Sequence, residues 1–250
     1  MGLVSRARAR LTASLRPSQV LPSPNIWQWP EVYEAENRAQ DVDGAVWALL
    51  ADLANWGGDV LDVGCGDGFH LPRFAERAAT VVGVEPHPPL VERAQARIAG
   101  LTGVAVRLGA AHDLPVDDGG FDVVHARTAY FFGPGCEPGL READRVLRPG
   151  GALVVVDLDA TFPPYGSWMR ADLPSYDAGE VDRFFEIEGF ELHRVRTRWR
   201  FADRATLEAV LRIEFSAAVA ERAIATVPGL EFPVGYRVLI RRKPRGLILR

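Results

Sequence analysis

The sequence is poor in cysteine and, more unusually, in lysine. Its 250 residues include only two cysteines, Cys65 and Cys136. Neither lies in a pattern typical of a disulfide framework or a zinc site, which favours a reducing cytoplasm and predicts that no metal is bound. Lys243 is the only lysine among 29 basic residues. We attribute this bias to GC-rich coding rather than to a recognition surface.

Long apolar runs and excess positive charge are also missing. No stretch approaches the ~20 apolar residues that a helix needs to cross a bilayer. Residues 1–20 are rich in arginine but lack the apolar centre of a secretory signal. We expect a frayed arm there, with a weak basic contact to a partner as the alternative. The net charge of −4 argues against nucleic acid as the main partner, because phosphate contacts dominate that affinity. The sequence therefore predicts a cytoplasmic protein without a membrane or nucleic-acid partner, and leaves its oligomeric state open.

The hydrophobic share of 48% and the length of 250 residues are typical of one globular domain. Four apolar residues have helical spacing and predict a helix over residues 42–55. They are Val46, Leu49, Leu50 and Leu53. Short apolar strands then alternate with helices. The predicted strands are Asp59–Val63, Thr80–Glu85, Val104–Leu108, Phe121–Ala126 and Ala152–Leu158, and the predicted helices are Phe69–Arg77, Pro89–Ile98 and Pro138–Leu147. This alternation predicts a doubly wound, mostly parallel sheet.

The last third of the chain has a different pattern. Apolar or neutral residues alternate with arginines from Arg194 to Phe201, which predicts a half-buried strand with one arginine face. That face is most simply solvated, because no aromatic platform for RNA lies beside it. An apolar stripe over residues 204–226 predicts a helical segment, and Tyr236–Arg242 reads as a last strand. We expect the helical segment to pack beside the N-terminal aromatics.

A glycine loop gives the strongest chemical signal. The strand Asp59–Val63 ends in Gly64, Gly66 and Gly68, and glycine lets backbone approach a ligand closely. Ligands of open α/β sheets bind at the carboxyl ends of the strands. The next strand ends in Glu85, where a carboxylate can accept hydrogen bonds from two ribose hydroxyls. A plain glycine turn beside a solvated glutamate is the alternative.

The glycine spacing distinguishes two kinds of ligand. Dinucleotide folds favour G-x-G-x-x-G, in which the last glycine allows close helix packing near the pyrophosphate. Here the run is G-x-G-x-G, and Phe69 stands where the third dinucleotide glycine would be. A ligand without a pyrophosphate has no need of that glycine.

Four ordered segments resemble class I S-adenosylmethionine-dependent methyltransferases of the type 11-like kind. They are Asp62–Gly68, Val82–Pro86, Gly109–Val124 and Val146–Leu153. The resemblance implies a Rossmann-like, seven-stranded, mostly parallel sheet with an antiparallel last strand and helical cap elements. It also implies S-adenosyl-L-methionine as the cofactor, S-adenosyl-L-homocysteine as its product, and no metal.

The resemblance assigns cofactor roles to particular positions. It implies that Asp62 orients the loop and the methionine end, while Glu85 holds the ribose. Ala126, at the end of the fourth strand, is expected near the methionine moiety. The full implied cofactor set is Asp62, Gly64, Cys65, Gly66, Gly68, Glu85, Pro86, Ala111, His112 and Ala126.

Two departures from the family pattern bear on chemistry. Ala110 stands where relatives often carry an aspartate, so His112 or Asp113 would have to contact the adenine amino group, or that contact is missing. Tyr130-Phe131-Phe132 replaces a His-rich segment, which removes the usual histidine base. Among the five histidines, His125 lies nearest the predicted catalytic edge and is the candidate base, with a structural role as the alternative. Tyr130 is the second candidate catalytic residue.

The acceptor site is predicted from aromatic and basic residues. Trp27, Trp29 and Tyr33 either form an aromatic wall over the transferred methyl group or anchor the N-terminal arm. Arg127 and Tyr130 are placed to fix an acidic or phenolic acceptor. The predicted substrate-binding residues are therefore Trp27, Tyr33, Arg127 and Tyr130.

These patterns predict methyl transfer to an O, N or C nucleophile of a small molecule by in-line displacement. Two alternatives stay open: an NAD(P)-dependent oxidoreductase and a non-catalytic S-adenosylmethionine-binding protein. We divide the chain into an arm and aromatic cap segment (1–40), a cofactor-binding core (41–160), and C-terminal strands with an inserted helical cap (161–250) within the same domain.

Overall fold

The computed structural model describes residue 20 and residues 22–246, so residues 1–19 of the arginine-rich arm lie outside it. Within that range, seven strands form one sheet in the order β3-β2-β1-β4-β5-β7-β6. The strands are β1 (Asp59–Val63), β2 (Thr80–Glu85), β3 (Val104–Leu108), β4 (Phe121–Arg127), β5 (Leu147–Leu158), β6 (Glu191–Arg200) and β7 (Glu231–Arg242).

The sheet is parallel except at β7, which runs antiparallel to both β5 and β6. The predicted Rossmann-like sheet with an antiparallel last strand is therefore confirmed. Its central strands are nearly continuous apolar runs, as expected where helices cover both faces. The predicted start of the fifth strand at Ala152 is wrong, because β5 begins at Leu147. A register shift between Phe121 and Val123 keeps the Pro149-Gly150-Gly151 segment in the sheet, and Gly150 has a positive φ of +87° there.

Ten helices lie in the described residues. They are α1 (Pro24–Gln28), α2 (Pro30–Ala39), α3 (Ala45–Leu53), α4 (Leu71–Ala75), α5 (Pro88–Ile98), α6 (Glu137–Val146), α7 (Tyr165–Asp172), α8 (Ala178–Ile187), α9 (Arg204–Glu214) and α10 (Ala217–Thr226). The helix expected over 69–77 is only five residues long. The single helical segment expected over 204–226 is two helices, because Phe215 is extended between them. The sequence analysis did not predict α7 or α8.

The apolar stripe of α3 faces the core as predicted. Val46 and Leu50 are fully buried, while Leu49 and Leu53 pack against the same cluster. The helices from the two ends of the chain also meet: α9 lies beside α2, and the Asn25 side chain of α1 donates to Glu214 of α9 over 2.8 Å. The expectation that the C-terminal helices pack beside the N-terminal segment is confirmed.

The arginine face of β6 is engaged by acidic side chains. Arg194 pairs with Asp159 over 3.1 Å, Arg198 pairs with Asp43 over 2.6 Å, and Arg200 pairs with Glu231 over 2.7 Å. Charged side chains of this kind protect an edge strand from pairing with other chains. Among the described helices, none combines the length and apolarity that crossing a membrane requires.

Candidate active site

A cavity lies at the carboxyl ends of β1, β2 and β4, where the strand order reverses between β1 and β4. This is the place where open α/β sheets bind ligands. Its walls are the glycine loop after β1, the end of β2, and segments 109–112 and 127–130. Helices α1 and α2, which we call the roof helices, cover it.

The glycine loop approaches the cavity at Gly64 and Gly66. Both have positive φ angles, +73° and +58°. A Cβ atom on Gly64 would lie 2.5 Å from the Ala129 Cβ, and one on Gly66 would lie 2.8 Å from Ile26 Cδ1. Both glycines and Cys65 line the cavity. The backbone therefore comes as close as it does because these positions carry no side chain.

Gly68 has a different role from the one expected. It does not line the cavity. A Cβ atom there would lie 3.0 Å from the Ala94 Cβ and 3.2 Å from the Ala94 Cα. Gly68 therefore lets the loop pack against α5, and its contact with a cofactor stays a prediction.

His125 does not reach the cavity, so the structure contradicts its expected role as a base. Its imidazole is fully buried, and Nδ1 lies 2.7 Å from Asp62 Oδ1. The rings of Trp56 and Phe74 enclose it, at centroid distances of 6.0 and 4.9 Å. Asp62 itself lines the cavity. His125 therefore holds Asp62 in place from the core side.

Glu85 ends β2 as a buried carboxylate that lines the cavity beside Pro86. It accepts hydrogen bonds from the backbone N–H groups of Gly66 and His87, each 3.1 Å long. Burial raises the pKa of Glu85 to about 7, and Asp62 adds to that shift, while the two backbone donors oppose it. The carboxylate thus lies where the ribose of a nucleoside ligand was expected.

Ala111 and His112, which the resemblance predicts to flank the adenine, both line the cavity. Of the two candidates for contact with an amino group, His112 lines the cavity, whereas Asp113 is exposed and does not. The His112 ring lies 6.3 Å from the ring of Tyr130 across the cavity wall.

Of the residues expected near the end of β4, Arg127 and Tyr130 line the cavity and Ala126 does not. Ala126 is fully buried in the core and does not line the cavity, because strand side chains alternate between the faces of the sheet. Arg127, Thr128 and Tyr130 line it instead, and the last two have positive φ angles of +46° and +50°. Burial raises the pKa of Tyr130 to about 12.

The roof helices contribute aromatic side chains to the cavity. The Trp27 ring stacks on His87 at 4.4 Å and 10°, and the Tyr33 hydroxyl lies 3.4 Å from Thr128 Oγ1. Both residues line the cavity, but Trp29 does not and is 39% exposed. Of the three aromatic residues considered, Trp27 and Tyr33 are therefore the ones placed to form the expected wall.

Two buried glutamates are among the cavity residues that the sequence analysis missed. Glu36 of α2 and Glu214 of α9 line the cavity and are buried. Glu214 accepts hydrogen bonds from Asn25 and from the Tyr165 hydroxyl, at 2.8 and 2.5 Å. Helical spacing gives a signal for both, because each follows an apolar residue by three positions and so lies on an inward face. Within residues 20 and 22–246, no three His, Cys, Asp or Glu side chains are grouped to hold a metal ion.

Residues 60–151 match a family described as a methyltransferase domain. That range holds the glycine loop, Glu85, the adenine-side segment and β4. This stretch of the chain therefore has the sequence pattern of a methyltransferase domain.

This chain spans only part of the length of the curated relatives that it matches. An uncharacterized methyltransferase of Synechocystis sp. is 38% identical over 140 residues, which are 53% of this chain and 65% of the relative. Across the curated relatives matched here, the chain spans from 31% to 65% of the relative's length.

Solved structures share the fold at low sequence identity. A methyltransferase-assigned protein from Bacillus halodurans aligns with a TM-score of 0.58 and 22% identity, covering 80% of this chain and 98% of that one. The geranyl diphosphate C-methyltransferase of Streptomyces coelicolor, in complex with Mg²⁺, geranyl diphosphate and S-adenosylhomocysteine, aligns at 0.52 and 17%, covering 78% and 77%. These likenesses establish the fold of the methyltransferase domain.

Proposed function

We propose that this chain transfers a methyl group from S-adenosylmethionine to a small-molecule acceptor. The observation that carries the proposal is the placement of Gly64, Gly66 and Glu85 around one cavity at the point where the strand order reverses. The three residues come from two neighbouring strand ends, as a nucleoside-binding site in an open α/β sheet requires.

The residues present fit the cofactor. A Cβ atom at Gly64 would meet Ala129 and one at Gly66 would meet Ile26, so glycine is what lets the loop backbone lie at the cavity against a ligand. Glu85 supplies an acceptor for ribose hydroxyls, and Asp62 supplies a carboxylate for the methionine ammonium group. Ala111 and His112 would flank the adenine. When bound, the cofactor supplies an electrophilic methyl group on a sulfonium sulfur, whose leaving group is a neutral thioether.

The other cavity residues align the acceptor and exclude water. Trp27 and Tyr33 cover the cavity from the roof helices, and exclusion of water and alignment are the main contributions that an in-line displacement needs. Because its pKa is raised to about 12, the Tyr130 phenol stays protonated near neutral pH and donates a hydrogen bond rather than taking a proton. Arg127 supplies the positive charge at this end of the cavity.

A small acceptor is supported by the roof and by the charge distribution. The cavity is covered by α1 and α2, which suits a molecule that can be enclosed. The arginines of β6 that would form a basic track are paired with acidic side chains. The Streptomyces coelicolor relative, which holds a small acceptor beside S-adenosylhomocysteine in the same fold, gives further support.

Calorimetric titration with S-adenosylhomocysteine, NAD and NADP tests the proposal directly. We expect S-adenosylhomocysteine to bind and the dinucleotides not to, because Phe69 lines the cavity where a dinucleotide site would carry a glycine. Dinucleotide binding without S-adenosylhomocysteine binding would identify an oxidoreductase instead. Incubation with labelled S-adenosylmethionine and a metabolite panel then separates a methyltransferase from a protein that only binds the cofactor.

A further inference from the structure

Arg127 is a buried cation in the wall of the cavity. It is the last residue of β4, it lines the cavity, and it is 7% exposed. Its guanidinium carbon lies 5.0 Å from the centre of the Tyr236 ring. Burial of a charged side chain is costly unless an opposite charge or hydrogen bonds compensate for the loss of water. The partners of this guanidinium group therefore bear on what the cavity binds.

The protein itself supplies only part of that compensation. Arg127 Nη2 donates to Gln40 Oε1 over 2.8 Å. Arg127 Nη1 is buried and has no hydrogen-bond partner within residues 22–246. Buried polar atoms in folded proteins are nearly always hydrogen-bonded, so an unpaired, charged donor in a cavity wall indicates a ligand contact.

The carboxyl group of Glu36 does not neutralise Arg127. It accepts from Gln40 Nε2 over 3.0 Å and shares a hydrogen bond with Glu214. Burial and the neighbouring charge of Glu214 hold the pKa of Glu36 well above its usual range. Glu36 is therefore protonated and donates to Glu214, so it brings no negative charge to the guanidinium.

The Glu214 carboxylate has donors of its own. Besides the Glu36 proton, it accepts from Asn25 over 2.8 Å and from the Tyr165 hydroxyl over 2.5 Å. The hydrogen bonds run from Arg127 through an amide and a neutral carboxyl group before they reach Glu214. The positive and negative charges of this cluster are thus held apart.

The other titratable side chains around Arg127 are neutral. Burial raises the pKa of the Tyr33 and Tyr236 phenols, so both stay protonated. Burial, with the charge of Arg127, lowers the pKa of His70 well below its usual range, so its imidazole stays neutral. The positive charge of the guanidinium is therefore available to a ligand.

Two hydroxyl groups add donors beside Arg127. The Tyr33 and Thr128 hydroxyls lie 3.4 Å apart, and both residues line the cavity. Each hydroxyl carries one proton, and a contact between the two uses only one of them. A ligand group that meets the remaining proton and Arg127 Nη1 has only to accept hydrogen bonds, as an oxyanion does.

Arg127 extends toward the acceptor side of the sheet. Asp62 and Glu85, which we propose to hold the cofactor, lie at the ends of β1 and β2. The Arg127 guanidinium lies over the ring of Tyr236 on β7, which is three strands from β1 in the sheet order. Because neighbouring strands lie about 4.8 Å apart, this contact leads away from the cofactor residues. Leu158, which pairs with Tyr236 and lines the cavity, makes this end apolar.

We infer that Arg127 binds a carboxylate of the methyl acceptor, which makes the acceptor a small carboxylic acid with an apolar skeleton. The inference rests on the proposed methyl transfer. A carboxylate can accept from Arg127 Nη1 and from the Tyr33–Thr128 hydroxyl pair at the same time, and its charge compensates for the buried guanidinium. An amide of the same shape brings no charge, and an ammonium compound adds a second positive one.

Binding of matched compounds tests the inference without requiring turnover. The protein, saturated with S-adenosylhomocysteine, is titrated with benzoate and benzamide, with naphthoate and naphthamide, and with octanoate and octanamide. We expect the carboxylate of at least one pair to bind ~10-fold or more tightly than its amide. Equal binding in every pair, preference for the amides, or no binding by any compound would overturn the inference.

Substitution of Arg127 assigns the preference to its guanidinium group. Arg127→Met keeps an unbranched side chain against the Tyr236 ring but removes the charge and both Nη donors. We expect the carboxylate preference to fall to within about threefold. Arg196→Met is the matched control and should keep the full preference, because the Arg196 guanidinium lies 4.9 Å from the Phe162 ring but is exposed and outside the cavity. An unchanged preference in Arg127→Met contradicts the inference.

The cofactor carries a carboxylate too, and a second pair of ligands distinguishes it from that of the acceptor. S-adenosylhomocysteine and its decarboxylated analogue are titrated into the unaltered protein and into Arg127→Met. We expect the substitution to change the affinity for each by less than about threefold. A loss of ~10-fold or more for S-adenosylhomocysteine alone would assign Arg127 to the cofactor and overturn the inference.

The two proposals fail in different ways. If S-adenosylhomocysteine does not bind the unaltered protein, the proposed methyl transfer is wrong. If it binds and no carboxylate preference is seen, only the assignment of Arg127 is wrong. The comparison of carboxylates with amides in the unaltered protein also decides the matter should Arg127→Met fail to fold.

Discussion

Asp62 Oδ1 and His125 Nδ1 lie 2.7 Å apart on neighbouring parallel strands. The register of β1 and β4 pairs these two residues directly, and the imidazole is fully buried. Because Asp62 also lines the cavity, the histidine sets the position of a carboxylate that we propose to hold the cofactor. His125, which was predicted to act as a base, is thus placed to orient the Asp62 carboxylate.

His125→Phe tests that assignment. Loss of the imidazole leaves Asp62 buried without its partner, so we expect the free energy of unfolding to fall by ~1–3 kcal/mol. The affinity for S-adenosylhomocysteine should fall by about tenfold or more, as measured by calorimetry. His193→Phe, on β6 and outside the cavity, should leave that affinity unchanged. A large loss of turnover with unaltered cofactor affinity would restore His125 as the base.

The sequence predicts that Gly64, Gly66 and Glu85 meet, but not that Glu36 and Glu214 do, for a physical reason. Gly64, Gly66 and Glu85 follow two strands whose carboxyl ends must meet at one edge of a parallel sheet, so their proximity follows from order along the chain. Glu36 and Glu214 meet only because α2 packs beside α9. Helical spacing marks each glutamate as an inward position, but no local pattern fixes the packing of α2 against α9 that brings the two together.

Small errors in strand position also change which side chain reaches the cavity. Ala126 was expected at the end of the fourth strand, but β4 continues to Arg127. Because neighbouring side chains point to opposite faces, this difference of one residue puts a buried alanine in the core and an arginine in the cavity. The sheet order and the presence of Arg127 and Tyr130 at the cavity could therefore be predicted, whereas the expected cavity position of Ala126 was wrong.

Glu85→Gln should weaken the binding of S-adenosylhomocysteine. An amide cannot accept from both ribose hydroxyls as a carboxylate does, and loss of such charge-assisted hydrogen bonds is worth ~1–3 kcal/mol. Calorimetry should show the loss, with denaturant unfolding measured alongside because Glu85 also accepts from Gly66 and His87. Glu92→Gln, an exposed change on α5, is the control. Equal affinity for both variants would contradict the ribose assignment.

The ionisation of Glu85 should make both the stability of the protein and its ligand affinity depend on pH. Its pKa of about 7 in the folded protein lies above the ordinary 4.5, so the folded state binds the proton more tightly than the unfolded state. The contribution of Glu85 to stability is therefore undiminished below pH 4.5 and declines as the pH rises through 7.

Ribose binding requires the ionised form, so its affinity should move in the opposite direction. We expect the affinity for S-adenosylhomocysteine to rise between about pH 6 and 8 and then to level off. Calorimetry across this range measures the rise, and Glu85→Gln should abolish it. A rise that persists in that variant would assign the titration to another group.

Alanine at Gly66 and at Gly68 should have different consequences. A Cβ on Gly68 meets the Ala94 backbone, which cannot move without shifting α5, so Gly68→Ala should lower the free energy of unfolding by ~1–3 kcal/mol. A Cβ on Gly66 meets the tip of Ile26 in the cavity wall, so Gly66→Ala should reduce cofactor affinity more than Gly68→Ala does. Denaturant unfolding and calorimetry on both variants measure the two effects, and the reverse order of affinities would contradict the packing role of Gly68.

Trp27→Ala should speed the release of S-adenosylhomocysteine. Trp27 stacks on His87 at 4.4 Å, and His87 follows Glu85 and Pro86 at the cavity edge. An aromatic stack of this kind is worth ~0.5–1.5 kcal/mol beyond its buried area, so the dissociation rate should rise by about two- to tenfold. Stopped-flow displacement measures that rate.

The neighbouring tryptophan offers a matched control for this roof contact. Trp29 lies one residue beyond α1, is 39% exposed and does not line the cavity. Trp29→Ala should therefore leave the dissociation rate near that of the unaltered protein, although it removes the same side chain from the same segment. Equal acceleration by both substitutions would mean that the tryptophans only anchor the N-terminal segment. Acceleration by Trp27→Ala alone would mean that the Trp27–His87 stack retains the ligand, because the two variants differ only in which side chain faces the cavity.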